Sequence, residues 1–300
     1  MVSKFDWASP PVFQPHPYRL RAAADGPHPF TGHQRLGIFY DAESCNIPLE
    51  ATTQCITGVG LGPTKTPNAL ANFRGATPFV VYTWLDCGLV GIGEAELKRK
   101  TLLAHERNVD TRIEEIFWTG GLYNTMPHLA EDTAVTEVSG GSTVTLQTAA
   151  TVVTGTFDVV EAVGTLEGLM GSCYGGTPFL HMPMNVVAHL AANHLLERKG
   201  SRLVTPAGSI VVGAPGYPGT SPAGVNPPFG QEWMYATGSV KLWQSDVDWK
   251  ARSAREFLNR TNNDTVLIAE QWFALGWDCC HYGLLVSTGG VITGTAASPT

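Results

Sequence analysis

The sequence predicts an α+β fold, on three observations. Strand-like and helix-like runs are interleaved without the regular alternation of a βαβ chain. One segment, 94–118, carries the charge and apolar spacing of a long surface helix. Two long alternating runs, 233–249 and 265–278, lie together near the C-terminal end. The chain has 300 residues, of which 43% are hydrophobic and only 15% are charged. A typical soluble domain carries roughly 25% charged residues. The length allows one large domain or two small ones, and the mean hydropathy of +0.00 is too apolar for a disordered chain.

The first 30 residues hold six prolines, which lack an N–H and fix φ. This stretch is expected to be an extended arm outside any sheet. It still carries Phe5, Trp7, Phe13, Tyr18 and Phe30, and aromatic rings on an arm need a surface to lie on. Residues 57–78 are rich in Gly, Pro and Asn and read as a long loop or loose hairpin, with a β-rich strand after them at 78–88. Eleven of the 25 residues in Glu94–Trp118 are charged. Its apolar positions Leu102, Val109, Ile113, Ile116 and Phe117 share one helical face, and Thr119-Gly120-Gly121 stops it. At ~1.5 Å per residue it is a rod of about 37 Å, suited to lie across a sheet.

Ser142–Thr154 is Thr/Val-rich and strand-like. Thr156 and Asp158 precede Val159, Val160, Val163, Leu166, Leu169 and Met170, a capped amphipathic helix that ends at Gly171. Residues 177–183 read as a short buried strand, and Met184–Lys199 as a third helix stopped by Gly200. Arg202–Gly213 returns as a strand, and 213–230 is a Gly/Pro loop. The two alternating runs follow, separated by a polar turn at 250–263. Residues 279–288 form the last strand, and the uncharged tail to Thr300 is expected to fray.

Composition excludes several classes. No run of 18 apolar residues marks a transmembrane helix, and the N-terminal stretch has no apolar core of a secretory signal. A cytoplasmic origin is the expectation. The six cysteines (Cys45, Cys55, Cys87, Cys173, Cys279, Cys280) lack paired spacing and read as buried free thiols. The net charge is −7, yet the block from Ile113 to Glu197 contains nine acidic residues and no Lys or Arg. Such a block cannot grip a nucleic-acid backbone.

No catalytic constellation assembles from spacing. Gly171-Ser172-Cys173-Tyr174-Gly175 has the spacing of a cysteine nucleophile elbow, but a helix precedes it and a strand follows, the reverse of an elbow. His189 and His194 are five apart, where a helical metal pair needs four, so His181, His189 and His194 read as core or cap residues. A cysteine or metal hydrolase built on Cys173 or these histidines is the alternative from another class. Gly58, Gly60 and Gly62 are followed by prolines rather than a helix, so they form no phosphate-binding turn. An aromatic arm, a long Gly/Pro loop and low charge point instead to assembly.

The order of several segments resembles a known family: AHERNVDTRIEEIFWTGG (104–121), PHLAED (127–132), TPFLHMPMNVVAHLAANHLLERKG (177–200), TPAGSIVVGAPGYPGTSP (205–222), WMYATGSVKLWQSDV (233–247) and DTVLIAEQWFALGWDCC (264–280). The chain is similar to tailed-bacteriophage major capsid proteins of the Hong Kong 97-like fold, in the version found in actinobacteriophages. The resemblance implies an N-arm (1–49), an extended E-loop (50–92), a P-domain with a long spine helix (93–149 and 231–278) and an A-domain (150–230 and 279–300). It implies self-assembly into hexamers and pentamers of an icosahedral shell around double-stranded DNA, located in the virion and put together in the bacterial cytoplasm. No enzyme activity, cofactor, metal or membrane is expected, and scaffolding, portal and decoration proteins are expected partners. An encapsulin-like compartment shell is the alternative with the same fold. Phe5, Trp7, Phe13, Lys65, Phe73, Arg74 and Tyr217 are the expected assembly residues. Some relatives cross-link a loop Lys to a neighbour's Asn. Lys65 is the only lysine in the expected E-loop, with Asn259, Asn262 and Asn263 as partners by region.

Overall fold

The computed structural model describes residues 13–14, 16–42, 73–88, 94–121, 126–139, 142–250, 258–259 and 264–289. Two sheets carry the fold. The first has six strands built around β16 (Asp264–Trp277), a strand of 14 residues. On one side β16 pairs antiparallel with β4 (Phe79–Gly88). On the other it pairs with β13 (Val240–Gln244), β14 (Asp248–Lys250) and β15 (Leu258–Asn259). β1 (Asp25–Pro29) adds to β13 in parallel. The second sheet runs β7 (Thr151–Phe157), β17 (His281–Ser287), β12 (Gln231–Thr237), β8 (Phe179–Pro183), β11 (Ile210–Ala214), β10 (Arg202–Val204) and β9 (Glu197–Lys199). Two hairpins complete the strands: β2 (Ile38–Asp41) with β3 (Phe73–Ala76), and β5 (Val135–Ser139) with β6 (Ser142–Gln147). The helices are α1 (Leu20–Ala23), α2 (Glu94–Thr119), α3 (Val159–Cys173) and α4 (Met184–Ala192).

Alternation decides which side chains meet. In β16 the odd positions Leu267, Ala269, Gln271 and Phe273 are buried and face α2. Helix α2 answers with Leu97, Thr101, His105, Val109, Ile113 and Phe117, all buried. Two of these are polar and carry their own partners. Thr101 Oγ1 donates to the Leu97 carbonyl at 2.9 Å, and the His105 ring lies 3.1 Å from Thr83 Oγ1 and 3.3 Å from Gln271 Oε1. Sheet two is covered on one face by α3 and α4, through Val163, Leu166, Met170, Val186 and Leu190 against Leu180, Val211, Met234 and Leu284. Its other face joins the C-terminal end of α2 in a second core, with Phe179, Val212 and Tyr235 beside Phe117, Trp118 and Trp277. The hairpin β2–β3 caps part of the first sheet's far face, where Ile38, Tyr40 and Ala76 cover Trp243 and Ala274.

Several expectations hold. The long helix spans Glu94–Thr119, and β16 runs unbroken over Asp264–Trp277. Asp158 caps α3 by accepting from the amides of Val160 and Glu161, each at 2.8 Å.

Other expectations are corrected. The run 233–249 is three strands: β12 lies in the second sheet and β13 and β14 in the first, with Gly238-Ser239 as the crossing. The run 142–154 likewise divides between the β5–β6 hairpin and β7. The third helix stops at Ala192, not Lys199. Asn193 donates its amide and its side-chain Nδ2 to the His189 carbonyl at the end of the helix, His194 takes a left-handed φ of 57°, and Glu197–Lys199 turns back as a hairpin strand through Gly200. The proline-rich arm is not wholly outside a sheet, because Asp25–Pro29 pairs with β13 as an edge strand, a position proline tolerates. Cys173 and Cys280 are joined in a disulfide rather than free.

The arm, the long helix and the 213–230 loop meet at one ion pair. Arg19 donates from Nε and Nη2 to the two carboxylate oxygens of Glu114, each at 2.8 Å, and Nη2 also donates to Thr111 Oγ1 at 2.6 Å. The Gly216 amide donates to Glu114 Oε2 at 3.2 Å. A Cβ at Gly216 would collide with the Thr111 carbonyl, so only glycine lets the loop come this close. Both Arg19 and Glu114 are buried. Burial pushes the Glu114 carboxyl up, opposed by the Arg19 guanidinium.

Three histidines are buried close to this core. Burial pushes His181 down to about 3 and His281 down to about 4. His128 goes the other way. Burial opposes its charged form, but the Glu131 carboxylate at 2.9 Å and the Met126 carbonyl at 2.8 Å raise it above the ordinary histidine range.

Two outcomes follow from this packing. Glu114→Ala strands a buried guanidinium and should cost about 3–5 kcal/mol in chemical unfolding. The double variant Arg19→Met/Glu114→Leu should recover most of that loss, and a double variant as unstable as the single would show that packing rather than charge is at stake. The second outcome concerns acid. Unfolded His181 and His281 take up protons below about pH 6.5 while the folded rings do not, so stability falls by about 1.4 kcal/mol per pH unit for each. The loss ends at about pH 4 for His281 and about pH 3 for His181. The His128–Glu131 pair has the opposite sign, present at low pH and lost as pH rises past the raised histidine value. Urea midpoints measured from pH 7 to 4.5 should therefore decline, and His281→Gln should flatten the slope.

Candidate assembly surfaces

Sheet edges are where a strand can accept another chain, and natural proteins guard them with charge, proline or short length. Here they are guarded unequally. β9 is the charged triplet Glu197-Arg198-Lys199, and β1 carries Pro27 and Pro29. By contrast β4, FVVYTWLDCG, presents ten residues with Asp86 as its one charge. Among the described residues β4 pairs only with β16, and none of them pairs with its other edge. β7, TVVTGTF, is an uncharged and largely exposed edge strand with β17 as its one partner among the described residues.

The β4 edge is also aromatic. Positions facing α2, such as Val81 and Thr83, are covered, while Tyr82 and Trp84 on the far face are 61% and 59% exposed. Register places Ile268 and Glu270 beside them on the same face. Along the open edge runs a groove of about 910 Å³, lined by Phe79, Val81, Trp84, Val109, Ile116 and Trp272 among others. Trp272 is braced by Phe30, stacked at 6.0 Å, and by the Arg35 guanidinium 5.0 Å from its ring centre. Exposed rings that neighbour a bare strand edge are the signature of a partner surface. The spacing of Tyr82 and Trp84 was readable in the sequence, but which face α2 would cover was not.

The expected assembly residues fare differently. Phe5, Trp7 and Lys65 lie outside the described residues, as do Asn262 and Asn263. Phe13 is 42% exposed, with the Arg107 guanidinium of α2 5.5 Å from its ring centre. Phe73 and Arg74 form β3, with Arg74 opposite Tyr40. Tyr217 is buried within the single chain. It is only 4% exposed, set against Trp118 at 4.9 Å and 3.2 Å from His181 Nδ1. The reason is that 213–230 folds back onto the end of α2, where Trp118 Nε1 donates to Thr220 Oγ1 at 3.1 Å and Tyr235 donates to the Thr220 carbonyl at 3.1 Å. The tip of that loop is what reaches out, with Val225 63% and Phe229 77% exposed.

The hydrolase residues do not assemble. The Cys173 sulfur is held in its disulfide. His181 is buried between Tyr217 and Thr237 Oγ1, the latter at 2.9 Å, while His189 is half-buried on α4 and His194 is exposed. Among the described residues no three His, Cys, Asp or Glu side chains are grouped to hold a metal. Among the same residues no helix is long and apolar enough to cross a membrane.

No protein-family model matches the chain, and no curated protein matches it by sequence. Solved structures do match in fold. The capsid of the native GTA particle is 11% identical with a TM-score of 0.54, covering 96% of this chain and 95% of that one. The capsid of Ralstonia phage GP4 is 9% identical with a TM-score of 0.54, covering 98% and 97%. A structure from Gordonia phage Cozz is 8% identical with a TM-score of 0.52, covering 95% and 91%. At these identities the shared property is the path of the backbone over nearly the whole of both chains. The α+β chain, with its long helix laid on a sheet around β16 and its second sheet under α3 and α4, has the Hong Kong 97-like fold of tailed-bacteriophage capsid proteins.

Proposed function

We propose that the chain is a major capsid protein. In this reading it assembles into hexamers and pentamers of an icosahedral phage head that encloses double-stranded DNA. The observation that carries it is the end-to-end likeness to phage and particle capsids, over 95% or more of this chain. The unguarded edges of β4 and β7 support it, because a shell subunit needs open surface on several sides. On this reading α2 is the spine helix, the sheet around β16 belongs to the P-domain, and the seven-stranded sheet with α3 and α4 is the A-domain. β12 then falls in the A-domain, so the border lies at Gly238-Ser239 rather than before residue 231. The role is structural rather than enzymatic, the particle is the virion, and assembly takes place in the bacterial cytoplasm. Scaffolding, portal and decoration proteins complete the set of partners. DNA is held without sequence readout, consistent with the stretch free of Lys and Arg from 113 to 197.

Electron microscopy of the expressed chain tests the reading: closed shells support it, and a discrete monomer under all assembly conditions overturns it. A substitution tests the surface separately. Tyr82→Ser/Trp84→Ser should change the unfolding free energy of the unassembled chain by no more than about 0.5 kcal/mol, as for exposed sites. The yield of closed shells, read by sedimentation, should fall at least several-fold. Undiminished yield would remove this face from the assembly contacts while leaving the fold intact.

A further inference from the structure

β7 ends the seven-stranded sheet, and its core text, Val152-Val153-Thr154-Gly155-Thr156, carries no charge and no proline. Most of the strand is exposed, Val152 at 46%. Its one irregularity is a shift of register against β17 at Thr154-Gly155, where Gly155 has a φ of 126°. Such a bulge bends an edge but does not pair the outer N–H and C=O groups.

The same text recurs in the tail. Val291-Ile292-Thr293-Gly294-Thr295 differs from it only by Ile for Val at the second position. These residues lie outside the described ones, but their point of departure does not. β17 runs parallel to β7, with Val286 opposite Phe157, so the two strands end together. Thr288 is held at that end, its amide and hydroxyl donating to the Gly230 carbonyl at 2.9 and 3.0 Å. Gly289 then turns with a left-handed φ of 71°, and Gly290 follows. From β17 to the outer edge of β7 is two strand spacings, about 10 Å. The steps from Thr288 to Val291 span up to about 10 Å. A chain that turns back from this end runs antiparallel to β7. Centred on Thr293 opposite Thr154, such pairing sets Ile292 against Gly155 and Val153 against Gly294, so each glycine faces a β-branched residue.

We propose that residues 291–295 pair antiparallel with the outer edge of β7 in their own subunit and hold the place of a partner strand. The β7 text is self-complementary. Two copies meeting antiparallel about Thr154 set Gly155 against Val153 and Thr156 against Val152, the same small-against-branched pairs that the tail supplies. The tail is therefore a decoy of the strand that a second copy would bring. It guards an edge that carries no charge of its own, and it yields only to a partner that binds better. This last role rests on the assembly reading above, whereas the pairing itself does not.

Hydrogen exchange on the full-length chain, dilute enough to stay unassembled, tests the pairing whether or not shells form. Ile292→Pro/Thr293→Pro removes a donor in either phase of the ladder. The β7 amides should then exchange about tenfold faster or more than in wild type. A chain ended at Gly290 makes the same comparison should the proline variant fail to fold. Ala297→Pro, beyond the paired stretch, should leave β7 as it is, and equal acceleration there would overturn the register. Equal β7 exchange in wild type and Ile292→Pro/Thr293→Pro overturns the proposal. So does protection that vanishes on further dilution, since the strand would then come from a second copy. The decoy role has its own readout. In sedimentation, Ile292→Pro/Thr293→Pro should self-associate at a several-fold lower concentration, and an unshifted concentration removes that role. Wild-type chain that never closes shells, yet shows the exchange difference, counts against the capsid reading alone.

Discussion

The Arg19–Glu114 pair is the constraint on which the arrangement of the chain turns. It is sealed from water, so neither charge can be left alone without a desolvation penalty of several kcal/mol. The pair is satisfied only when three distant segments arrive together: the arm that brings Arg19, the C-terminal half of α2 that brings Thr111 and Glu114, and the loop that brings the Gly216 amide. A buried ion pair adds little net stability over an apolar substitute. What it does here is reject alternatives, since any other docking of the arm or loop leaves a charge buried without its partner. Immediately beyond it, the ring cluster of Trp118, Tyr217 and Tyr235 fills the space the loop encloses. The loop is thereby made a lid on the core for most of its length and a projection only at Val225–Phe229.

Much of the architecture could be read from the chain alone, and the failures have one physical origin. Helix α2 and strand β16 were plain because each keeps a single environment along its length. The segment 233–249 was misread because alternation continues smoothly while the strand leaves one sheet and enters another. Nothing in WMYATGSVKLW marks the change except Gly238, where a Cβ would collide with the Cys279 carbonyl and Asp278 Cβ of the neighbouring crossing. The third helix was overextended because Leu195 and Leu196 preserve helical spacing, although the backbone has already turned at His194. Gly/Pro loops are usually solvated, yet of the two rings in this one Tyr217 is drawn into the core while Phe229 projects. The disulfide was invisible for a different reason. Cys173 and Cys280 become neighbours only through the second sheet, so no local spacing announces them.

The low charge of the chain also finds a partial explanation within one subunit. The second sheet is covered on both faces, and its strands β8 and β11 are buried at every position. Strands of that kind read as continuous apolar runs with no room for charge. The remaining deficit lies at the surface, in β4 and β7, where charge would ordinarily stand guard. Interior and exterior thus contribute to the same compositional figure for opposite reasons, and only the second bears on partners.

Strand β16 is hydrogen-bonded to four other strands along its 14 residues, and its two faces meet different layers. Deleting or inserting one residue within it would exchange those faces downstream of the change. Phe273, Leu275 and Trp277 would be turned away from the core together, and β4 and β13 would lose register with each other at Phe273, where both are paired. In this chain a change of length is therefore borne by the connections, while the central strand acts as a ruler that can be rewritten letter by letter but not shortened.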